Sequence, residues 1–341
     1  MTRRGPTGQP TLEEVAALAG VGRGTVSRVV NNSPRVKDTT RHLVEQAIAE
    51  LGYVPNRAAR ALAGSRTDAV ALVIPETGKR FFAEPYFSEI VHGVGDGLAG
   101  TELQLLLTLV RTEDERQRFL DYARARRIDG VLLVSLHSSD PLPDLLAGMG
   151  MPTVLSGRRS GEESMSYVDS DNAGGARAAV RHLAASGRSR IATITGPLDM
   201  YAAQCRLRGY EEAVREADGG PGTGRIAHGD FTEESGRRAM AELLERCPGV
   251  DAVFAASDVM AAGALHTLRA AGRRVPEDVA VVGFDDSPIA RHTDPPLTSV
   301  RQPVEEMGRT MAGALREMLH APAAERRQVV LRTELVRRGS G

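Results

Sequence analysis

With 341 residues, 41% hydrophobic and 26% charged, the chain is long enough for a small domain plus one large or two medium domains. Its 43 basic and 44 acidic residues nearly cancel, so only local charge carries information about partners. No run approaches the roughly 18 apolar residues of a membrane span. The two cysteines, Cys205 and Cys247, have no metal-ligand spacing, which argues against a metal site and fits a reducing cytosol.

The N-terminal region differs from the rest in charge. Residues 1–10 lack the apolar core of a signal peptide, so we expect a disordered tail there and a cytoplasmic protein with no membrane partner. Residues 1–66 hold ten Arg and Lys against five Asp and Glu, a net charge of +5, whereas the remainder has a net charge of −6. A basic head on an acidic body favours a polyanionic partner for the head alone.

Residues 11–55 have the pattern of three short helices, and the first of them has clear signals at both ends. Apolar residues recur at i, i+3, i+4 and i+7 from Leu12, which predicts one buried helix face. Thr11 and Glu14 form a T-x-x-E capping box ahead of that stripe. Gly20 is expected to end the helix as a left-handed cap.

A second helix is predicted from Arg23 to Val30, and a third has Asp38 as its cap and Gly52 at its close. Two short helices joined by a tight turn, with a third packed across them, form the helix-turn-helix pattern. In that pattern the N-terminal end of the second helix enters the major groove. A small bundle that binds a protein is the alternative, and the basic charge of the head favours DNA.

The sequences VGRGTVSRVVN (residues 21–31) and LGYVPNRAARALAG (residues 51–64) resemble the head and hinge of the lactose-repressor (LacI/GalR) family of bacterial transcription factors. The resemblance implies that residues 56–66 form a hinge helix only on operator DNA, with Leu62 wedged into the minor groove. An apolar wedge unstacks a base step and bends the duplex. A helix this short is marginal in water, so it suits an order–disorder switch.

The groove-reading helix departs from many family members at Gly24. Glycine has no side chain that can reach a base, so more of the sequence selection should fall on Arg23 and Arg28. Arginine favours guanine, which predicts G-rich half-sites, although either arginine could instead contact phosphate. The residues predicted to contact DNA are Thr11, Arg23, Gly24, Thr25, Ser27, Arg28, Asn31, Arg35, Tyr53, Asn56, Arg57, Ala59, Arg60 and Leu62.

From residue 67 onward, short apolar strands alternate with amphipathic helices, which predicts parallel sheets covered on both faces. The rhythm restarts near Asp169, so we expect two doubly wound α/β lobes. The resemblance implies that they are the halves of a periplasmic-binding-protein-like core that binds the effector and mediates dimerisation. The predicted bounds are about 67–168 with 300–325 for the first lobe and 169–299 with 326–341 for the second.

The same α/β core could belong to a secreted sugar-binding protein or to a Rossmann enzyme. The glycine-rich segment at Gly93 lies inside a helical pattern, so it lacks the strand–turn context of a dinucleotide site. The chain contains no phosphate-loop motif, no G-x-S-x-G elbow and no clustered His/Cys ligands. We therefore expect a protein that is not an enzyme and that needs neither a cofactor nor a metal.

Ligands of open parallel sheets collect at the carboxyl ends of the strands. After the first body strand, four of the thirteen aromatic residues of the chain fall within residues 81–87. Aromatic faces, carboxylates and an arginine are what a neutral sugar needs, whereas a phosphate would need several basic groups. The residues predicted to bind the effector are Phe82, Glu84, Phe87, Arg158, Tyr201, Arg206, Phe231, Ser257, Asp258, Asp285 and Gln302.

Part of this set has an alternative interpretation. The loop aromatics could pack a dimer interface and Phe231 could be ordinary core. Asp258 could simply cap the helix that follows it, as could Asp199. The family resemblance implies, for its part, that Arg206 grips the effector and that Phe231 stacks on it. Asp285 and Gln302 then match an effector-contacting aspartate and a glutamine at the cleft edge.

Two positions depart from the family pattern, Ser257 at a frequent ligand-binding asparagine and Gly157 at an aspartate, so the hydroxyl groups recognised must differ. Within the family, GVGRGTVSRV, FFAEPYFSEIVHGV and SYVDSDNAGG most resemble cellobiose-responsive repressors of cellulase and β-glucoside genes. We expect a homodimer that binds a pseudopalindromic operator and is released by a sugar. A corepressor-dependent regulator and, remotely, a sugar-binding protein without DNA function are the alternatives.

Overall fold

The fold is seen in a computed structural model, which describes residues 10–30, 33–53, 66–76, 81–82, 84–218, 225–321 and 325–341. The chain divides into two compact units, Met1–Thr67 and Asp68–Gly341. Of the predicted tail only residue 10 is within the described ranges, and of the predicted hinge only residue 66.

The described part of the first unit contains the helices α1 (Leu12–Leu18), α2 (Arg23–Val30) and α3 (Asp38–Leu51). The predicted capping box of α1 is present, because the Thr11 hydroxyl accepts from the Glu14 N–H and the Glu14 carboxylate accepts from the Thr11 N–H at 2.7 Å. Gly20, predicted to be a left-handed cap, has a φ of 65°, and Gly52, predicted to close the third helix, has a φ of 63°.

The prediction that Asp38 caps α3 was wrong by one residue. The helical hydrogen bonds begin at the Lys37 carbonyl, which accepts from the N–H groups of Thr40 and Arg41 at 3.0 and 2.9 Å. Asp38 is therefore the first helical residue, and its carboxylate lies in the first turn, where a negative charge favours the helix dipole.

A small core holds the three helices of the first unit together. Val15, Val26 and Val44 are fully buried in it. Tyr53, which we predicted to contact DNA, is only 9% exposed and belongs to the same core. The left-handed turn at Gly52 returns the chain onto α3, where the Tyr53 N–H donates to the Ile48 carbonyl at 3.0 Å. The Tyr53 ring therefore packs in the core of the head, and a contact between Tyr53 and DNA stays a prediction.

The described residues of the second unit form two six-stranded sheets. The first has the spatial order β11-β5-β4-β3-β1-β2, and the second has the order β12-β10-β9-β8-β6-β7. All neighbouring strands in these orders are parallel except β10 and β12. The strands are β1 (Ala69–Ile74), β2 (Gln104–Leu109), β3 (Gly130–Leu133), β4 (Thr153–Ser156), β5 (Ser166–Ser170), β6 (Ile191–Thr195), β7 (Ile226–His228), β8 (Ala252–Ala255), β9 (Ala280–Asp285), β10 (Thr298–Arg301), β11 (Gln328–Leu331) and β12 (Glu334–Val336).

Helices cover both faces of each sheet, so the central strands are buried and the predicted doubly wound architecture is confirmed. No helix in the described ranges has the length and apolar character needed to cross a bilayer. The helices of this unit are α4 (Pro85–Leu98), α5 (Glu113–Arg124), α6 (Leu142–Gly148), α7 (Asn172–Ala185), α8 (Tyr201–Asp218), α9 (Glu233–Arg246), α10 (Asp258–Ala270), α11 (Pro288–His292) and α12 (Val304–His320).

The chain passes between the lobes three times, and all three passes lie later in the chain than the predicted bounds. The first lobe runs to Ser170 at the end of β5, two residues beyond the prediction. β10 belongs to the second sheet and β11 to the first, so the second lobe extends to Arg301 and the first reclaims residues 328–331. β11 extends the open edge of β5 in parallel, whereas β12 pairs antiparallel with β10. A strand of four residues carries no local signal for which of two sheets it joins, so the pattern alone could not separate them.

The close packing of α4 against α12 generates a prediction. A Cβ at Gly93 would lie 2.1 Å from the Glu305 carbonyl oxygen, whereas a Cβ at Gly95 on the same helix would meet nothing within 4 Å. Gly93→Ala should therefore lower the free energy of unfolding of the second unit by about 2–3 kcal/mol, because the helices must separate. Gly95→Ala should raise it by about 0.5–1 kcal/mol, because alanine is the better helix former. Urea unfolding of both variants, followed by circular dichroism, checks the contrast, which equal effects would contradict.

Candidate functional site

The exposed side of α2 carries the predicted groove-reading residues. Arg23, Gly24 and Arg28 are exposed, and Thr25 and Ser27 are half-buried. A Cβ at Gly24 would have open space around it, so packing within the head does not require a glycine there. The absence of a side chain at Gly24 therefore lets a partner approach the backbone of α2 closely. Arg35 is also exposed, beyond the end of α2.

One charge of this surface is already paired within the head. Arg23 Nη1 lies 3.2 Å from Glu13 Oε1, and both side chains are more than half exposed. An exposed ion pair contributes about 0–1 kcal/mol, so DNA phosphates or bases can displace it at little cost. Thr11 is committed to the α1 cap. The other predicted DNA-contacting residues lie outside the described ranges, namely Asn31, Asn56, Arg57, Ala59, Arg60 and Leu62.

A cavity that is open at its mouth lies where the carboxyl ends of strands from both sheets meet. This is the place where open parallel sheets bind ligands. Seven of the eleven predicted effector residues line it: Glu84, Phe87, Arg158, Arg206, Phe231, Asp285 and Gln302.

Arg206 is the buried cation of the cavity, with only 6% of its surface exposed. Its Nε donates to Asn172 Oδ1 at 2.9 Å, and its Nη1 donates to the Ala256 carbonyl at 2.6 Å. The guanidinium carbon lies 3.8 Å from the centroid of Phe284, so one face of the planar group stacks on an aromatic ring. Burial lowers the pKa of Arg206, and Asp285 at 3.6 Å opposes that shift.

Asp285 faces Arg206 at the end of β9. Its Oδ1 accepts a hydrogen bond from Gln302 Nε2 at 2.7 Å. Burial raises the pKa of Asp285 to about 6, and the nearby Arg206 guanidinium and the Gln302 amide oppose the rise. The residue has a φ of 113°, a conformation that L residues rarely adopt and that the surrounding structure must maintain. The position of the Asp285 carboxylate is therefore fixed both by the strained backbone and by its hydrogen bond.

A second arginine–carboxylate pair lines the first-lobe side. Arg158 Nε donates to Asp169 Oδ2 at 2.8 Å, and Asp169 Oδ1 accepts from Asn172 Nδ2 at 3.0 Å. Burial raises the pKa of Asp169, although Arg158 counteracts it. Because Asn172 also accepts from Arg206, one hydrogen-bonded chain runs from the first lobe to the second.

Aromatic rings supply the apolar part of the lining. Phe231 has a φ of 68°, and its ring fills the space next to Gly196, where a Cβ would lie 2.2 Å from the ring. The Tyr86 hydroxyl lies 2.7 Å from Ser156 Oγ, and burial raises the pKa of Tyr86 to about 12. These rings, together with Phe87, offer faces for the C–H groups of a ligand.

Four predicted effector residues are not part of the lining. Phe82 is 83% exposed on the surface, and Tyr201 stacks under Arg158 instead, with its ring centroid 5.2 Å from the guanidinium. The Ser257 hydroxyl caps α10 by accepting from the Met260 N–H at 3.2 Å. These predictions relied on proximity to a strand end, which does not show where a side chain points.

Asp258, the fourth, is a structural residue. It is fully buried, and its carboxylate accepts from the Ser287 N–H, the Ser287 hydroxyl and the Ser299 hydroxyl at 2.7, 3.1 and 2.6 Å. It does not cap α10, because Ser257 occupies the cap. Burial and the Asp285 charge raise the pKa of Asp258, and the three donors oppose that rise.

Sequence analysis missed several residues that line the cavity. A signal existed for some. Tyr86 belongs to the aromatic cluster at residues 81–87, and Asp169 and Asn172 lie in the YVDSDN segment, which begins in β5 and ends at the first residue of α7. Gly157 had been noted only as a departure from the family pattern. The other missed lining residues are Ser135, Leu136, Ser156, Met200, Ala202 and Met307. Within the described ranges, no group of three or more His, Cys, Asp or Glu side chains is placed to hold a metal ion.

Comparison with known families and proteins matches both units. The family model described as bacterial regulatory proteins, lacI family, matches residues 11–56, and the periplasmic binding protein-like domain matches residues 180–341. The HTH-type transcriptional regulator CelR of Thermobifida fusca is 54% identical over 335 residues, covering 98% of each chain. The ribose operon repressor of Escherichia coli (strain K12) is 33% identical, covering 97% of this chain and 99% of its own.

Solved structures give the same match. A complex of the transcriptional regulator CelR with cellobiose superposes with a TM-score of 0.79 at 52% identity, covering 98% of this chain and 100% of that one. The lac repressor dimer bound to operator and the anti-inducer ONPF superposes with a TM-score of 0.83 at 28% identity, covering 97% and 99%.

The placement of Asp258 generates a prediction. Asp258→Ala should lower the free energy of unfolding of the second unit by about 3 kcal/mol, because three buried donors lose their acceptor. The control is Asp294→Ala, at a carboxylate that is 89% exposed, which should change stability by less than about 0.5 kcal/mol. Thermal unfolding by calorimetry measures both. An unchanged melting temperature for Asp258→Ala would show that the carboxylate is not structural.

Proposed function

Because this chain belongs to the lacI family of bacterial regulatory proteins, we propose that it is a homodimeric transcriptional repressor that cellobiose or a related oligosaccharide releases from its operator. The helix-turn-helix head and the hinge would bind a pseudopalindromic operator, and the cavity between the lobes would bind the sugar. We place its action in the cytoplasm, where bacterial DNA lies. The observation that carries the choice of effector is the chemistry of the cavity lining.

The charges of the lining favour a neutral ligand. Arg206 faces Asp285 at 3.6 Å and Arg158 is bonded to Asp169 at 2.8 Å, so both cations are already neutralised. Glu84 adds one more carboxylate to the wall, which leaves the lining with a formal charge of −1 when its acids are ionised. A phosphorylated or carboxylated ligand would be repelled, whereas a sugar offers hydroxyls that carboxylates and amides can bind.

The mixture of polar groups and rings fits a pyranose. Carboxylate, amide and guanidinium groups converge from Asp285, Gln302 and Arg206 on one side of the cavity. Phe231 and Tyr86 supply aromatic faces, which suit the apolar C–H face of a sugar ring. The likeness to CelR, of which a cellobiose complex has been solved, supports a β-linked glucose disaccharide as the first ligand to test.

The regulatory step follows from lobe closure. A sugar that contacts both lobes stabilises the closed arrangement by its differential affinity for the two states. In a dimer with two heads on a two-fold axis, that shift would prevent both hinges from ordering on one operator. If the sugar instead tightened operator binding, the protein would be a corepressor-dependent regulator. The operator-release measurement described below distinguishes release from tighter binding.

The central experiment is a calorimetric titration with a panel of disaccharides, followed by operator release with the sugar that binds. Arg206→Lys should weaken sugar binding by about 100-fold or more, because lysine cannot reproduce the forked bonds to Asn172 and Ala256. It should leave sugar-free operator affinity within about threefold. The control is Arg208→Lys, at an exposed position on the same helix, which should bind sugar normally. A normal response from Arg206→Lys would remove this residue from the site.

Arg23 carries a separate prediction about sequence selection. Arg23→Ala should reduce discrimination at one base pair of each half-site by about 1–3 kcal/mol, because a bidentate contact to guanine is lost. The comparison variant is Lys37→Ala. Lys37 does not lie on the exposed side of α2, so the loss of its positive charge should weaken DNA binding to all sequences equally. Fluorescence anisotropy with single-base operator variants at fixed salt measures the difference. Uniform weakening by Arg23→Ala would assign this residue to a phosphate contact.

A further inference from the structure

A polar bridge joins the two lobes at the rim of the cavity. His137 follows β3 of the first lobe, and Asp199 precedes α8 of the second. His137 Nδ1 lies 2.6 Å from Asp199 Oδ2. Beside it, the N–H and the hydroxyl of Ser138 both donate to the Asp199 carbonyl, at 2.8 and 2.7 Å. Three hydrogen bonds thus tie one residue of the second lobe to one loop of the first.

We infer that His137 and Asp199 form a clasp that holds the lobes closed and thereby makes effector affinity depend on the protonation of His137. Neither residue lines the effector cavity, so they act as positioning residues and not as sugar ligands. The inference rests on the proposed function for the identity of the effector. The bridge itself can be tested without any sugar.

The clasp is coupled to the cavity through its immediate neighbours in the chain. Leu136 precedes His137 and Met200 follows Asp199, and both neighbours line the cavity, one from each lobe. Ser135, also in the lining, has a φ of 56°, a strained conformation that the surrounding contacts must maintain. Formation of the clasp therefore fixes the positions of Leu136 and Met200 in the cavity lining, one from each lobe.

A second contact between lobes supports the same segment. The Arg158 guanidinium lies between two rings, 5.3 Å from the centroid of Tyr167 in the first lobe and 5.2 Å from that of Tyr201 in the second. Residues 199–201 are thus held by two loops of the first lobe. Because the His137 bond is one of several contacts there, its loss should weaken closure and not abolish it.

Charged groups around His137 favour its protonated form. Glu76, which is 7% exposed, lies 3.4 Å from the other ring nitrogen and also accepts from the Ser135 hydroxyl. The bond to Glu76 raises the pKa of His137 to about 8; burial opposes the rise, and Asp199 adds to it. The charged side chains that share the adjoining surface depression with His137 are Arg111, Glu113, Arg116 and Asp140.

The sign of the pH dependence follows from these partners. Protonated His137 can donate to Glu76 and to Asp199 at once, whereas the neutral ring has one N–H and can serve only one carboxylate. A pKa that is raised in the clasped state means that the clasp is fully present below the ordinary pKa near 6.5 and is lost as the pH rises through about 8. Of the cavity groups, Asp285 has a pKa of about 6 and Tyr86 of about 12, outside most of that window.

The sugar-free test is an NMR titration of the His137 imidazole in the full-length protein. The pKa of His137 should be near 8 in the wild type, and Asp199→Asn should lower it by about half a unit or more, because one carboxylate partner is replaced by an amide. Asp199 is 57% exposed, so the substitution leaves folding intact. An unchanged His137 pKa in Asp199→Asn would overturn the clasp.

The second test is calorimetric titration with cellobiose between pH 6.5 and 9. The affinity of the wild type for cellobiose should fall by about three- to tenfold across this range. The size of the fall depends on how much the pKa of His137 rises when the lobes close. His137→Gln should bind weakly at all pH values, and the control His266→Gln, at an exposed histidine on α10, should follow the wild type. A pH profile that His137→Gln leaves unchanged would overturn the inference. If the wild type bound no cellobiose at any pH, the effector assignment would fail, and the NMR titration would still decide the clasp.

Discussion

The burial of one guanidinium organises the second unit. Removing Arg206 from water is costly unless its donors are satisfied and its charge is opposed. Here Asn172 at the start of α7, the carbonyl of Ala256 after β8 and Asp285 at the end of β9 meet those needs, with Phe284 beneath the planar group. These partners come from separate elements, so the cation fixes how the strand ends converge. The cavity lies beside this buried cation, which is part of its lining.

Strained backbone concentrates around the same place. Phe231, Asp285 and Asp286 have positive φ values of 68°, 113° and 53°. Such conformations persist where surrounding contacts maintain them, and they often mark functional sites. Asp286 accepts from Arg301 and Arg338 at 2.8 and 2.5 Å, and buried Asp258 fixes the next turn. The carboxylates of Asp258 and Asp286, which do not line the cavity, thus hold the turn from which Asp285 faces Arg206.

Sequence patterns predicted the fold better than the site. Hydrophobic periodicity and capping residues depend on near neighbours, so the head helices and the alternation of strands with helices were predicted correctly. The sheet membership of β11 depends on which edge is open in three dimensions, which residues 328–331 do not encode. Ser257 and Asp258 follow a strand as cavity residues should, yet one caps α10 and the other anchors a turn. Asp169 and Asn172 lie in a polar segment that could have been singled out, but their bonds to Arg158 and Arg206 depend on how the two lobes meet, which no single stretch specifies.

The residues proposed to contact the ligand differ from those proposed to hold the two lobes closed. In the proposed function, Arg206, Asp285 and Gln302 bind the hydroxyl groups of the sugar. The bridge of His137 to Asp199 takes no part in this binding, because its atoms lie outside the wall. A ligand can shift the lobes only by its unequal affinity for the open and closed states. Contacts that favour closure without touching the ligand raise its apparent affinity by increasing the fraction of molecules in the binding-competent state. If the proposed function and the clasp both hold, different residues set the sugar specificity and the sugar concentration at which the operator is released, so the two can change independently.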